Sequence, residues 1–180
     1  MGDHYQTIAD IDSDAASAES AAQGIRDWMI SERIIRSQPS DCALGEPLGY
    51  APAERYALAV EEYPRLFTLR TNGVAFIAKR SVFHAGGAFE LVCSECHNRF
   101  AGGEMWSDAV SRRFSGDSVG VLSCPKCGFQ TSIVEWQHDP VWAFGYVGIN
   151  FWNWPPLRTD FITQVRNLLG HRVRLVVGKI

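Results

Sequence analysis

Four cysteines fall into two pairs of identical spacing. Cys93 and Cys96 lie in CSECH, Cys124 and Cys127 in CPKCG, and 27 residues separate the pairs. C-x-x-C-H is the attachment signal for a c-type haem, and C-x-x-C is also half of a zinc site. The haem reading leaves CPKCG without a role. It also requires export, and the opening MGDHYQTIADIDSDAASAES is acidic, with no basic segment followed by an apolar one. Zinc accounts for both pairs, because a two-residue gap lets a tight turn aim two sulfurs at one ion about 2.3 Å away. Four thiolates close the shell and leave no position for water, so Cys93, Cys96, Cys124 and Cys127 are expected to hold a structural Zn2+. The gap exceeds the usual spacing of roughly 15–20 residues, and a helix around Trp106 would fill the excess. Gly128 follows the second pair and can take positive φ. His97 stands in its place in the first, which predicts a tighter or irregular turn there, with His97 beside the ligand shell or exposed.

Other candidates for chemistry are weaker. Gly116-Asp117-Ser118-Val119-Gly120 matches G-x-S-x-G, but a nucleophile elbow needs a strand before it and a helix after it. Here the pattern predicts the reverse, although Asp139, Asp160 and His171 stand in triad order. Cys42 in SDCALG would need His84 or His138 as a base. A small buried cysteine is the commoner use of that residue. Ala85-Gly86-Gly87 lacks the Lys-Ser/Thr of a phosphate loop, and no G-x-G-x-x-G occurs. No H-x-E precedes the cysteines, as a zinc deaminase would require. DIDSD, residues 10–14, resembles the start of a calcium loop, but Ala15 and Ala21 occupy the positions of its glycine and glutamate. A helix start explains those carboxylates better.

The elements that would position these residues follow from periodicity. Ala18, Ala21, Ala22, Ile25, Trp28 and Met29 have helical spacing. Residues 37–53 read as an ordered loop. Asn72-Gly73 predicts a hairpin that pairs Thr71 with Val74, Leu69 with Phe76 and Phe67 with Ala78. Short strands are expected at 88–92, 119–122 and 131–136 around the cysteines. A helix is expected over 104–114, carrying Met105, Trp106, Ala109, Val110 and Phe114. An aromatic strand follows over 141–152. Strand alternation would then put Phe151 and Asn153 on one face, Trp152 and Trp154 on the other. Thr159 can cap a last helix that Gly170 ends, and HRVRLVV alternates as a final strand. The expected fold class is α+β: antiparallel strands, about three helices and an inserted zinc-ribbon-like pair of hairpins. Residues 1–36 would be an acidic arm with a helix, and 37–180 a single domain with the zinc site at 88–136.

The chain has 180 residues, 46% hydrophobic and 21% charged, with a formal net charge of −3. That composition is globular, and no apolar run reaches membrane length. The expected compartment is the cytoplasm, where thiols stay reduced. Residues 1–62 carry 12 acidic and 4 basic side chains, and 63–180 carry 8 acidic and 13 basic. Either the acidic segment pairs with the basic remainder, or the remainder offers a surface to an anionic partner. Trp152, Trp154, Arg158, Arg172 and Arg174 are the candidate partner surface. DCALG, the two cysteine pairs, FWNWPPL and LGHRVRLVVGKI resemble a scattered group of small uncharacterised bacterial proteins with a zinc ribbon, over residues from about Ile25 onward. The resemblance implies the metal and no activity. The expected function is a non-enzymatic, zinc-containing binding or adaptor protein whose partner is another protein, as in immunity-type neutralisation. Two alternatives stay open. One is nucleic-acid binding through the ribbon and Arg158, Arg166, Arg172, Arg174 and Lys179. The other is an enzyme using Cys42 or Ser118.

Overall fold

The structure, a computed structural model, describes residues 2–45, 48–61, 69–115 and 120–180. The fold is α+β, and the chain divides into two compact units, Met1–His84 with Ala143–Ile180, and Ala85–Trp142.

The first unit is built on a six-stranded sheet. Its strands are β1 (His4–Asp10), β2 (Ile35–Ser40), β3 (Gly49–Pro52), β4 (Val74–His84), β10 (Trp142–Trp152) and β11 (Val173–Lys179), in the order β11-β1-β10-β4-β3-β2. Residues 1–36, expected as an arm, supply β1 to the interior of this sheet. β1 runs antiparallel to both neighbours, with Ile8 opposite Ile149 on β10 and Leu175 on β11. Residues 6–10 are all buried, because the sheet is covered on both faces at this strand.

Two helices, α1 (Ala18–Ser31) and α3 (Thr159–Leu169), cover one face. Ala18, Ala22, Ile25 and Met29 form the buried stripe of α1, at the spacing read from the sequence. Phe161 and Val165 do the same for α3. They meet Ile8, Ile149 and Phe151 in the main core, where Trp28 stacks on Phe161 at 5.8 Å between ring centroids. The opposite face is packed by Ala9, Phe83, Ala143 and Val176. Gly170 ends α3 at φ 71, and its N–H bonds to the Arg166 carbonyl.

Two expectations fail here for tertiary reasons. The segment 37–53 is not wholly loop: it holds β2 and β3, and Pro39 is tolerated because β2 is an edge strand with an irregular register. The Asn72-Gly73 hairpin does not form. Residues 69–73 are outside any strand, β4 starts at Val74 opposite Tyr50 of β3, and Phe67 lies outside the described residues. The backbone groups of 71–73 have other partners. Gly73 N–H donates to the Cys42 carbonyl (2.7 Å) and its carbonyl accepts from Trp152 N–H (3.0 Å). Trp154 Nε1 donates to the Asn72 carbonyl and Asn153 Nδ2 to that of Thr71, both at 2.6 Å. Distant bonds satisfy the groups that a hairpin would have paired locally.

The second unit holds the cysteines. Its strands are β5 (Glu90–Val92), β6 (Arg99–Phe100), β7 (Val121–Ser123), β8 (Gln130–Ser132) and β9 (Gln137–Asp139), with helix α2 (Gly103–Ser115) between the two hairpins. β5 pairs with β6 and β9, and β7 with β8, all antiparallel. The strand expected over 131–136 stops at Ser132, because 133–136 turn inward and bury Ile133 and Trp136. Leu91, Trp106, Ala109 and Leu122 complete the interior, with Phe89, Trp142 and His138 packed ring against ring on Trp106. The Phe114 side chain lies outside those described.

Candidate metal centre

The two cysteine turns are copies of one another. Each sits at the tip of a hairpin, β5–β6 or β7–β8. In the first, Cys93 N–H donates to the Asn98 carbonyl (3.0 Å) and His97 N–H to the Cys93 carbonyl (2.9 Å). In the second, Cys124 N–H donates to Phe129 (2.8 Å) and Gly128 N–H to Cys124 (2.9 Å). Gly128 has φ 75 and His97 has φ 56. The histidine therefore adopts the left-handed conformation that glycine supplies in the second turn, and the first turn is not tighter or irregular. Histidine is among the few residue types enriched in that region. The His97 side chain is exposed and is not one of the clustered donors.

The turns face each other. Cys93 Sγ lies 3.7 Å from Cys127 Sγ, and Cys96 Sγ lies 3.7 Å from Cys124 Sγ. All four sulfurs are within 4.8 Å of one another, an arrangement that could hold a metal ion. Cys93 and Cys124 are buried, Cys96 is half-buried and Cys127 is exposed. The thiols share protons unequally. Burial resists ionisation of Cys124, but the Cys127 and Lys126 N–H groups and the neighbouring thiols outweigh it and bring its pKa to about 7. The Phe129 N–H favours the Cys127 thiolate, yet burial and the other three sulfurs push that pKa up to about 12. Crowding four sulfurs is unfavourable unless something compensates their charge, and a bound cation does so.

The other predicted residues are scattered. Cys42 is only 6% exposed, and a Cβ built on Gly73 would collide with its sulfur. Ser118 lies outside the described residues. Trp152 and Trp154 are 6% and 2% exposed, which corrects their assignment to a partner surface. The reason is Asn153, whose φ of 55 ends the strand and breaks its alternation. Trp152 packs with Ala43 and Ala75, while Trp154 turns back to join Phe151 in the main core. Asn153 is fixed by its own bonds: Oδ1 accepts from His4 N–H (3.0 Å), and Nδ2 donates to Asp3 (2.6 Å) as well as Thr71. Arg158 is exposed and pairs with Asp160 (2.7 Å). Arg172 pairs with Asp12 (2.7 Å), and Arg174 is half-buried on β11.

One pair was invisible in the sequence. Asp10 is 0% exposed, and its Oδ2 lies 2.8 Å from Nδ1 of His171. Its Oδ1 accepts from the N–H groups of Asp12 (3.0 Å) and Ser13 (3.1 Å). The hydrogen bond to Asp10 holds the His171 pKa above the ordinary imidazole value, against the effect of burial. The three carboxylates of DIDSD thus have separate partners, because Asp14 accepts from the N–H groups of Ala16 and Ser17 ahead of α1. No helix of the described residues is long and apolar enough to cross a membrane. Comparisons with protein-family models, with curated proteins and with solved structures gave no match.

Proposed function

We propose that residues 85–142 form a structural zinc module of zinc-ribbon type, and that the protein is a cytoplasmic, non-enzymatic binding or adaptor protein. The observation that carries the metal assignment is the sulfur geometry. Four sulfurs placed tetrahedrally about 2.3 Å from one ion stand about 3.8 Å apart, and two of the cross-pair distances are 3.7 Å, with all four sulfurs within 4.8 Å of one another. Cys93, Cys96, Cys124 and Cys127 would hold the ion, and its contribution is to tie two short hairpins together. Two- and three-stranded pieces of this size need such a staple. A shell of four thiolates has no vacant position for substrate or water, which supports a structural role over a catalytic one.

The partner we propose is another protein, in the manner of an immunity-type neutraliser. Charge supports this over nucleic-acid binding through the ribbon. Residues 85–142 carry seven acidic and four basic side chains. A tetrathiolate zinc adds two further negative charges, and such a module repels phosphates.

Metal analysis of the purified protein tests the first part. One zinc per chain is expected, lost in Cys96→Ser, and iron in its place would overturn the assignment. Failure to recover any protein partner by pulldown from the protein's own organism would count against the second.

A further inference from the structure

The strongest feature outside the cysteine cluster is a groove where the end of α3 meets the start of β11. Its volume is about 760 Å³, and Arg166, Asn167, His171, Arg172, Arg174 and Asp12 line it. Four of these six are cationic or can become so. Asp12 is engaged by Arg172 through both carboxylate oxygens, with Nε at 3.1 Å from each and Nη2 at 2.7 Å from Oδ1. Arg166 forms no ion pair among the described residues. Behind the groove, Asp10 holds the Nδ1 of His171, which leaves Nε2 as the nitrogen available to a ligand. The carboxylate is fully buried and bonded to two backbone N–H groups, so it fixes both the orientation and the tautomer of the ring. Burying a carboxylate is costly. A neutral side chain could accept the same two N–H bonds but would not hold the ring as an imidazolium.

We propose that this groove is a binding site for a tetrahedral oxyanion of the phosphate class, recognised by Arg166 and His171, with Arg172 as the wall that neutralises Asp12. Planar guanidinium donors match phosphate oxygens in pairs. The volume exceeds the anion alone, so a small phosphomonoester fits the same chemistry. The charged groups around His171 are Asp10 on β1, Asp12 and Asp14 in the loop after it, Arg166 on α3 and Arg172 just before β11. Protonation of His171 adds one positive charge to this set, so binding tightens as pH falls through its raised pKa. The site is independent of the cysteine cluster.

Sulfate is the cleanest first probe, because its charge does not change over the range where His171 titrates. Calorimetric titration of sulfate into the full-length protein at constant ionic strength should show binding that is about five- to tenfold tighter near pH 5.5 than near pH 8.5. Arg166→Gln should weaken it about tenfold, and His171→Gln should remove the pH dependence. Arg166 is exposed, so its variant keeps the test valid if the histidine variant fails to fold. Sulfate binding no stronger than chloride, unchanged by Arg166→Gln, or flat with pH in the parent protein would overturn the proposal. So would a short oligonucleotide that binds this groove when sulfate and a phosphomonoester do not.

Discussion

Asn in place of Asp10 separates the charge of the Asp10–His171 pair from its backbone bonds. The amide oxygen of Asp10→Asn can still accept from Asp12 and Ser13, so the turn into α1 should survive. What is lost is the attraction between carboxylate and imidazolium, whose closest atoms are 2.8 Å apart. At that distance two unit charges interact with about 1.5 kcal/mol at the dielectric of water and about 6 kcal/mol at an effective dielectric of 20. His171 keeps 34% of its side chain exposed. Screening therefore pulls the net value toward that of surface pairs, about 1 kcal/mol. The sign follows from the imidazole. Its folded pKa lies above the unfolded value, so the contribution is fully present below the unfolded pKa and is lost as pH rises through the folded one. Urea unfolding between about pH 6 and pH 9 should show the parent protein losing about 1 kcal/mol more than Asp10→Asn. In the variant the His171 pKa, followed by NMR, should fall back toward the ordinary imidazole value. Equal pH slopes in the two proteins, with His171 unmoved, would refute the pairing.

Four other perturbations read out separate parts of the structure. His97→Gly should leave the first cysteine turn intact and relieve about 1 kcal/mol of left-handed strain, measured as a rise in denaturation midpoint. Gly73→Ala would bring a Cβ within 2.9 Å of the Cys42 carbonyl oxygen, at a cost of about 1–3 kcal/mol that Cys42→Ala only partly restores. Asn153→Ala should cost about 2–4 kcal/mol, since it removes three hydrogen bonds and leaves a β-carbon residue at φ 55. Asn153→Gly should cost less, because it keeps the conformation. Chelation of the proposed zinc should raise amide exchange across residues 88–136 while leaving β1 and β10 protected, as seen by hydrogen-exchange mass spectrometry.

What could be read from the sequence was what is local. The cysteine turns are four residues long, and each carries its own geometry in its spacing. The stripe of α1 repeats within one helix, so Ile25 and Met29 were identifiable as core residues from periodicity alone. β1 was not legible, because HYQTIAD lacks strand-like alternation. It is buried only because β10 and β11, at the other end of the chain, lie on both sides of it. The Asn72-Gly73 signal was real as a local preference and lost to four long-range bonds, two from backbone and two from side-chain partners. Asp10 and His171 are 161 residues apart, and neither carries a local mark of its partner.

Charge shows the same contrast and leads to a last prediction. Along the chain the acidic excess precedes residue 63 and the basic excess follows it. In the fold, Arg172 meets Asp12, His171 meets Asp10, and Arg70 meets Asp41, within a unit that holds 13 acidic and 13 basic side chains. That balance disfavours a polyanion spread over the unit. At one end of the unit Arg166 and His171 share a groove with Arg172. Three such groups can neutralise at most about three phosphates. An oligonucleotide held there should therefore show a log K against log salt slope no steeper than about −3. A slope near −6 would mean that a broad polyanion surface exists, and that the groove is not what concentrates the positive charge.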